Sequence, residues 1–321
     1  MRTRTKAWLI TAASLVLIGS TVFVGVMTML KWDFTKLSTA EYETNAHEIG
    51  EEYKNISIVT KNADILFEAS ENQKTSVVCR EQKNMKHSVT VQNGKLLIDI
   101  ADTREWYDYI GISFDAPKIT VKIPQGEYGE LLVRSDTGNV EIPQEFKFEN
   151  IDISESTGNV RNLASASGNI TIKTSTGNIR VENVSANALE LSVSTGGITV
   201  FDAACEGEVK INVSTGRADL TDIRCKNVVS KGATGEISLK NVIAAEGFSI
   251  ERSTGNVRFD GCDAAEIIVE TSTGNVSGSL LADKVFIIQT DTGNVNVPKT
   301  ATGGKCEITT STGDINISIK Q

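Results

Sequence analysis

Two patterns of apolar residues divide the chain. From Ala7 to Leu30 no charged residue occurs. The 24 residues of that run, at about 1.5 Å each in a helix, reach roughly 36 Å, enough to cross a hydrocarbon core of about 30 Å with some tilt. The run predicts one spanning helix over residues 7–30. Beyond it apolar and polar residues alternate, the period of half-buried strands. Ile179 and Val181 alternate after one glycine and Val257 and Phe259 after another, while Leu189, Leu191 and Val193 alternate before the next.

The alternation is punctuated by a recurring phrase, Thr-Gly followed most often by Asn. Its glycines are Gly138, Gly158, Gly177, Gly196, Gly216, Gly235, Gly255, Gly274, Gly293 and Gly313, at intervals of 19 or 20 residues. A period of this size is the mark of a solenoid in which each repeat is one coil. The pattern therefore predicts an all-β chain, a parallel β-solenoid of the β-helix or β-roll kind, with two half-buried strands in each coil of 19 to 20 residues. In the 20-residue coils the second strand is displaced by one place, as at Val209, Ile211 and Val213. The extra residue is expected in the loop between strands, because a slip inside a strand would turn its core side chains out to solvent.

The ten glycines are assigned as structural turns. Glycine takes a positive φ without a Cβ penalty, and neighbouring hydroxyl and amide side chains can bond the exposed backbone of a turn. Equivalent Asn and Thr residues of successive coils, about 4.8 Å apart, would form ladders along one edge. A calcium-binding β-roll is rejected, because it needs aspartates recurring in a Gly-Gly-x-Gly-x-Asp type of turn and nearly every corner here is neutral.

Residues 135–321 form the regular repeat. Residues 45–134 are less regular but still read as strands, at 56–59, 65–67, 76–79, 88–91, 96–100, 119–123 and 131–133. They are expected to be degenerate first coils and a cap, since an open solenoid end exposes strand edges and core. Residues 31–44 make a juxtamembrane linker and residues 1–6 a short N-terminal tail.

Charge sets the expected orientation. Arg2, Arg4 and Lys6 precede the apolar run with no acidic residue nearby, so the positive-inside rule places the N-terminus in the cytoplasm and the rest outside a single-pass cell-membrane anchor. Trp8 and Trp32 sit where interface aromatics lie. A cleavable signal peptide is the competing reading, but the run is longer than a signal core and is followed by Met-Leu-Lys-Trp-Asp rather than a small-residue site. No cysteine lies in or just after the segment, so attachment as a lipoprotein is excluded. Beyond the tail, 29 Lys and Arg face 41 Asp and Glu, a net charge of −12, which argues against nucleic acid as a partner.

The run Ile119-Thr-Val-Lys-Ile-Pro124, followed by Tyr128, Leu131-Leu-Val133 and Ser135-Asp-Thr-Gly-Asn-Val140, resembles the bacterial putative adhesin family with β-strand repeats. The opening Lys31-Trp-Asp-Phe-Thr-Lys-Leu37 after an apolar anchor looks like its membrane-anchored members in Firmicutes. The resemblance covers essentially the whole chain and implies a cell-surface repeat protein, associated in some relatives with envelope stress. It brings no catalytic motif.

The residues themselves offer little chemistry. The two histidines, His47 and His87, are 40 residues apart and have no metal-ligand spacing to a cysteine, so no metal site and no cofactor is expected. Asp202 and Asp222 share an offset of six from Gly196 and Gly216, the kind of pairing a polysaccharide-cleaving β-helix uses. The same offset holds Asn183, Asn241 and Gly261, so a turn preference explains it equally well. Cys262 and Cys306 fall at inward positions, and Cys79 lies in the irregular region. Cys205 and Cys225 should stack on adjacent coils, close enough for a disulfide if their side chains turn together. Trp106, Tyr107 and Tyr109 form a candidate patch for a partner or an envelope glycan, with a covering role over the first coil as the plainer reading. The expected function is non-enzymatic surface binding, adhesion or sensing at the cell envelope. A polysaccharide-acting enzyme and a passive spacer are the alternatives.

Overall fold

Helix α1 (Thr3–Met29) contains the 25-residue apolar stretch Thr5–Met29. The side chains along this stretch are exposed, Trp8, Leu9, Leu17 and Phe23 among them, except Met27 near its end, which is buried. A helix apolar all round needs either a protein core or lipid, and here no part of its most apolar stretch is buried in protein. It has the properties of a membrane anchor or a signal sequence. A computed structural model of the chain describes residues 3–37, 41–102 and 116–320.

Beyond the helix the described strands join one continuous hydrogen-bonded sheet that winds into a parallel β-solenoid of about 20 residues per coil. The register follows the glycine period. Leu189, Leu191 and Val193 lie over Ile170, Ile172 and Thr174 on one side and under Val209, Ile211 and Val213 on the other. Ile179, Val181, Leu189, Leu191 and Val193 are all buried, and Arg180 points out. The core is a stack of Ile, Val, Leu and Ala columns, with Phe67 meeting Phe146 and Phe148 edge-on near one end and Phe248 stacked on Phe259 further along.

The expectation of two strands per coil needs correction, because the strand that follows each corner glycine is bent. Asn183, Asp202, Asp222 and Asn241 adopt φ of 54°, 52°, 56° and 53°, and Gly261 63°. At this left-handed residue the side-chain alternation changes phase. Ile179 and Val181 point inward before Asn183, and Val184 and Ala186 point inward after it. Each such coil therefore has three short sides. Glu182 follows Val181 where strict alternation would turn it outward, yet it sits beside the bend with only 9% of its surface exposed, bonded to Arg180 and Arg161. The extra residue of a 20-residue coil falls between the third side and the next first side. Ala186 pairs Cys205 at a spacing of 19, and Leu189 pairs Val209 at 20.

The order of coils in space departs from the order in sequence at both ends. Strands β1 (Tyr42–Ile49), β2 (Asn55–Thr60), β3 (Asp64–Ala69), β4 (Thr75–Gln82), β5 (Met85–Gln92), β6 (Lys95–Asp102), β7 (Lys118–Ile123), β8 (Gly126–Thr137) and β9 (Val140–Ile142) open the sheet. The coil β2–β3 lies between β6–β7 on one side and β8–β9 on the other. Antiparallel strands close this end, β5 on β6, β4 on β7 and β1 on β4. At the far end Gly304–Thr312 and Ile315–Ile319 pair directly with Val257–Thr273 and Val276–Leu280. The earlier Lys284–Thr292 and Val295–Asn296 stack outside them as the outermost coil.

The corner glycines explain the tolerance for only one residue type there. Gly177 and Gly255 have φ of 142° and 147°, and a Cβ on either would fall on the carbonyl oxygen of the glycine one coil earlier, Gly158 or Gly235. Close stacking, in addition to the turn, demands glycine. Gly255→Val should therefore lower stability by about 3 kcal/mol or more, read as a drop in the urea midpoint, and an unchanged midpoint would remove the stacking argument. Leu191→Ala, a cavity in the fully buried column, should cost about 2 to 5 kcal/mol in the same measurement.

Candidate binding surface

Three features of the solenoid surface are open to a partner. The first is the corner edge. Thr137, Thr157, Thr176, Thr195, Thr215, Thr234, Thr254 and Thr273 pair in register from coil to coil, continuing through Thr312 to Thr292, and all ten are exposed. Beside them runs an amide ladder. Asn159 donates its backbone N–H and Nδ2 to Asn139 Oδ1 at 3.1 and 3.0 Å, and Asn178 does the same to Asn159 at 3.0 and 3.1 Å. Each Oδ1 accepts two donors from the next coil, so the ladder has one direction. Asp64, an acceptor only, starts it by receiving Asn139. It ends where Gly197 N–H donates to Asn178 Oδ1 at 2.9 Å, is missing over Arg217 and Glu236, and resumes from Asn256 through Asn275 and Asp314 to Asn294.

The second feature is a groove along the third side. Two adjoining hollows of about 580 and 600 Å³ share Ala166, Ser167 and Ser185. Small residues make this groove, since the inward column runs from Tyr128 and Phe148 to Ala166, then through Ala186 and Cys205. Tyr128 closes the aromatic end, stacked on Tyr53 and donating its hydroxyl to Pro124 O at 2.7 Å. The charges on the rim are largely paired, Lys54 with Glu149 and Lys226 with Glu246.

Cys205 and Cys225 lie on the groove floor, 7% and 8% exposed, and both are free thiols, as are Cys79, Cys262 and Cys306. Burial pushes Cys205 up to about 11 and Cys225 to about 12, so neither is ionised at neutral pH and neither is an activated nucleophile.

The third feature is a hollow of about 560 Å³ holding Phe201, Asp202, Asp222, Asn241 and Lys320. Asp202 and Asp222 stand at the left-handed bends of neighbouring coils, where Asp, Asn and Gly are the residues that fit. Asn241 Nδ2 donates to Asp222 Oδ1 at 2.9 Å. The shared offset that suggested a carboxylate pair thus has a conformational cause. Trp106, Tyr107 and Tyr109 lie outside the described residues.

The family model Toastrack DUF4097 matches residues 53–212 and again 203–321. The chain belongs to the Toastrack DUF4097 family. Structures similar to this Toastrack chain include a putative adhesin from Parabacteroides merdae, 14% identical with a TM-score of 0.49, covering 75% of this chain and 97% of its own. A putative lipid binding protein from Parabacteroides distasonis is 18% identical with a TM-score of 0.46, covering 75% and 95%. A putative adhesin from Bacteroides fragilis is 15% identical with a TM-score of 0.38, covering 87% and 97%. No curated protein matches the chain.

The Toastrack solenoid also buries polar groups that sequence reasoning missed. In the cap, Cys79, Glu81 and His87 converge with all three side chains buried. The turn that brings β4 against β5 folds Cys79, Glu81 and His87 onto one inner face, a convergence that alternation along a single strand does not reveal. In the regular repeat Glu155 is 5% exposed and neither of its carboxylate oxygens has a partner. Burial, with a smaller contribution from the nearby Asp64 charge, raises it to about 8. Its position is filled by Ser135 and Thr174 in the flanking coils, so an acid departs from the column pattern, and that departure is the signal a sequence reader has available.

Glu155 has a pH signature whose sign follows from its raised value. The unfolded chain releases this proton above about pH 4.5, whereas the folded chain keeps it to about pH 8. Its contribution to stability should be intact below pH 4.5 and decline as pH rises to 8, by up to about 1.4 kcal/mol per pH unit. Glu155→Gln should flatten that decline and be the more stable protein at pH 8, with the difference closing near pH 4. Parallel urea melts of the two proteins across that range check it, and equal slopes would mean that Glu155 ionises freely.

Proposed function

We propose that this Toastrack protein is a non-enzymatic envelope protein of the membrane-anchored, Firmicutes type. Its N-terminus is cytoplasmic, its solenoid is outside the cell membrane, and its flank holds an extended envelope glycan. The observation that carries this reading is the groove over several coils, made by a column of small residues and lined by hydroxyls, with most of its rim charges already paired. Such a surface offers hydrogen bonds and shape to a long neutral ligand and little net charge to attract an ionic one. The exposed threonine edge adds regular hydroxyls at about the coil spacing. Trp106, Tyr107 and Tyr109 remain the proposed aromatic contact, stacking on a sugar or a partner surface. The apolar helix supports anchoring, and Arg2, Arg4 and Lys6 before it support the orientation.

Two measurements test the reading. In wall-stripped cells, added protease should remove an epitope placed after Gln321 while the tail before Ala7 stays protected. Protection of the C-terminal epitope until the membrane is broken would reverse the orientation, and release of the solenoid with a new N-terminus near Leu30 would make the helix a signal peptide. The purified chain should cosediment with cell-wall polysaccharide, and the groove-filling changes Ser167→Trp and Ser185→Trp should weaken that binding at least tenfold. Cleavage of the polysaccharide that disappears with Asp202→Ala or Asp222→Ala would instead favour an enzyme.

A further inference from the structure

The cap has an interior unlike the rest of the solenoid. Cys79 and Glu81 point inward from β4, and His87 points inward from β5. One donor atom from each lies within 4.8 Å of the others. The remaining polar atoms of this group are held from behind. Thr60 Oγ1 lies 2.9 Å from His87 Nε2, on the far side of the ring, and Asn45 Nδ2 donates to Glu81 Oε1 at 2.8 Å. The two atoms left facing each other are His87 Nδ1 and Glu81 Oε2, 2.8 Å apart. The His87 backbone N–H fixes that same carboxylate oxygen at 2.6 Å.

The other histidine joins the same face. Asn45 of β1 stands opposite Cys79 and His47 opposite Val77, so by strand alternation His47 and Asn45 share the face that carries Cys79 and Glu81. His47 buries its Nε2 with no hydrogen-bond partner. Both histidines of a 321-residue chain are thus gathered on the inner face of one small cap together with a thiol and a carboxylate.

We propose that the cap is a structural metal site, in which Cys79 Sγ, Glu81 Oε2 and His87 Nδ1 bind one divalent ion of the zinc type and His47, which lies on the same face but outside that 4.8 Å grouping, turns in to supply Nε2 as the fourth donor. The donor types suit the ion. Zinc takes sulfur at about 2.3 Å and nitrogen and oxygen at about 2.0 to 2.2 Å, so ligand atoms sit roughly 3.3 to 3.6 Å apart in a tetrahedron. The trio needs to close or open by about 1 Å to reach that geometry. Charge favours it as well, since a divalent cation with one thiolate, one carboxylate and neutral imidazoles is neutral overall and can be buried where separate charges could not. Thr60 and Asn45 occupy the back atoms of their partners as the outer partners of metal ligands do, so His87 Nδ1 and Glu81 Oε2 are the atoms turned towards the ion. Binding releases the thiol proton and the proton shared between His87 and Glu81 to solvent, with no change in oxidation state.

Because the group is buried, the ion has to enter during folding, so the test uses the full chain produced in medium where cobalt replaces zinc and purified in detergent. The expected result is one cobalt per chain, with a thiolate-to-cobalt charge-transfer band in the near ultraviolet that zinc displaces. Cys79→Ser should abolish the band and Cys225→Ser should leave it, while His47→Ala should weaken retention against a chelator by tenfold or more. A chain with native far-ultraviolet circular dichroism but less than one tenth of an equivalent of metal overturns the proposal, as does a band that survives Cys79→Ser. A band kept in full by His47→Ala would remove His47 from the shell.

Discussion

Everything in this solenoid depends on how closely successive coils approach at the Thr-Gly corner. The backbone of each coil passes within contact of the glycine carbonyl of the coil before it, and Gly177 N–H donates to Thr195 O at 3.0 Å across the same gap. Any side chain at the corner would hold neighbouring coils apart and lengthen the parallel ladders on either side. With the corners closed, the coils keep a spacing at which Ile, Val and Leu columns stack in one buried core, the Thr residues align, and Asn residues of neighbouring coils reach one another. Ladder, core and edge are consequences of one close contact repeated along the axis.

Much of this was legible because the contact leaves a residue-specific trace. Ten glycines at a period of 19 or 20 pointed to coils, and the alternation around Leu189, Leu191 and Val193 pointed to an inward face. The three-sided coil was harder to read. A left-handed residue such as Asn183 resets the alternation, so a strict two-residue period loses the phase at the bend. The trace was present as Asn183, Asp202, Asp222, Asn241 and Gly261 at one offset, where a turn preference and a carboxylate pair compete for the same residues.

The cap and the buried acid were not legible for a different reason. Cys79, Glu81 and His87 meet through a hairpin, and the partners that orient them, Asn45 and Thr60, come from strands whose place depends on how the chain is threaded. Nor does periodicity reveal which coil lies next to which. Asp64 starting the ladder and Asp314 standing between Asn275 and Asn294 both follow from the spatial order of coils, and a chain whose coils share one period has many orders that satisfy the same alternation.

The inverted order of the last two coils bears on how the molecule is made and how it comes apart. Residues 284–296 precede in sequence the segment that lies between them and the coil of residues 257–280, so the final stack has to close around a coil that is synthesised later. The short link at residues 281–283 crosses the inserted coil, a step of about two strand spacings or roughly 9.6 Å. Residues 304–319 sit like a drawer between two shelves, hydrogen-bonded on both edges. A pull on residues 304–319 therefore meets strands clamped from above and below, and the coil that comes last in the sequence order is locked inside the stack rather than left at its edge.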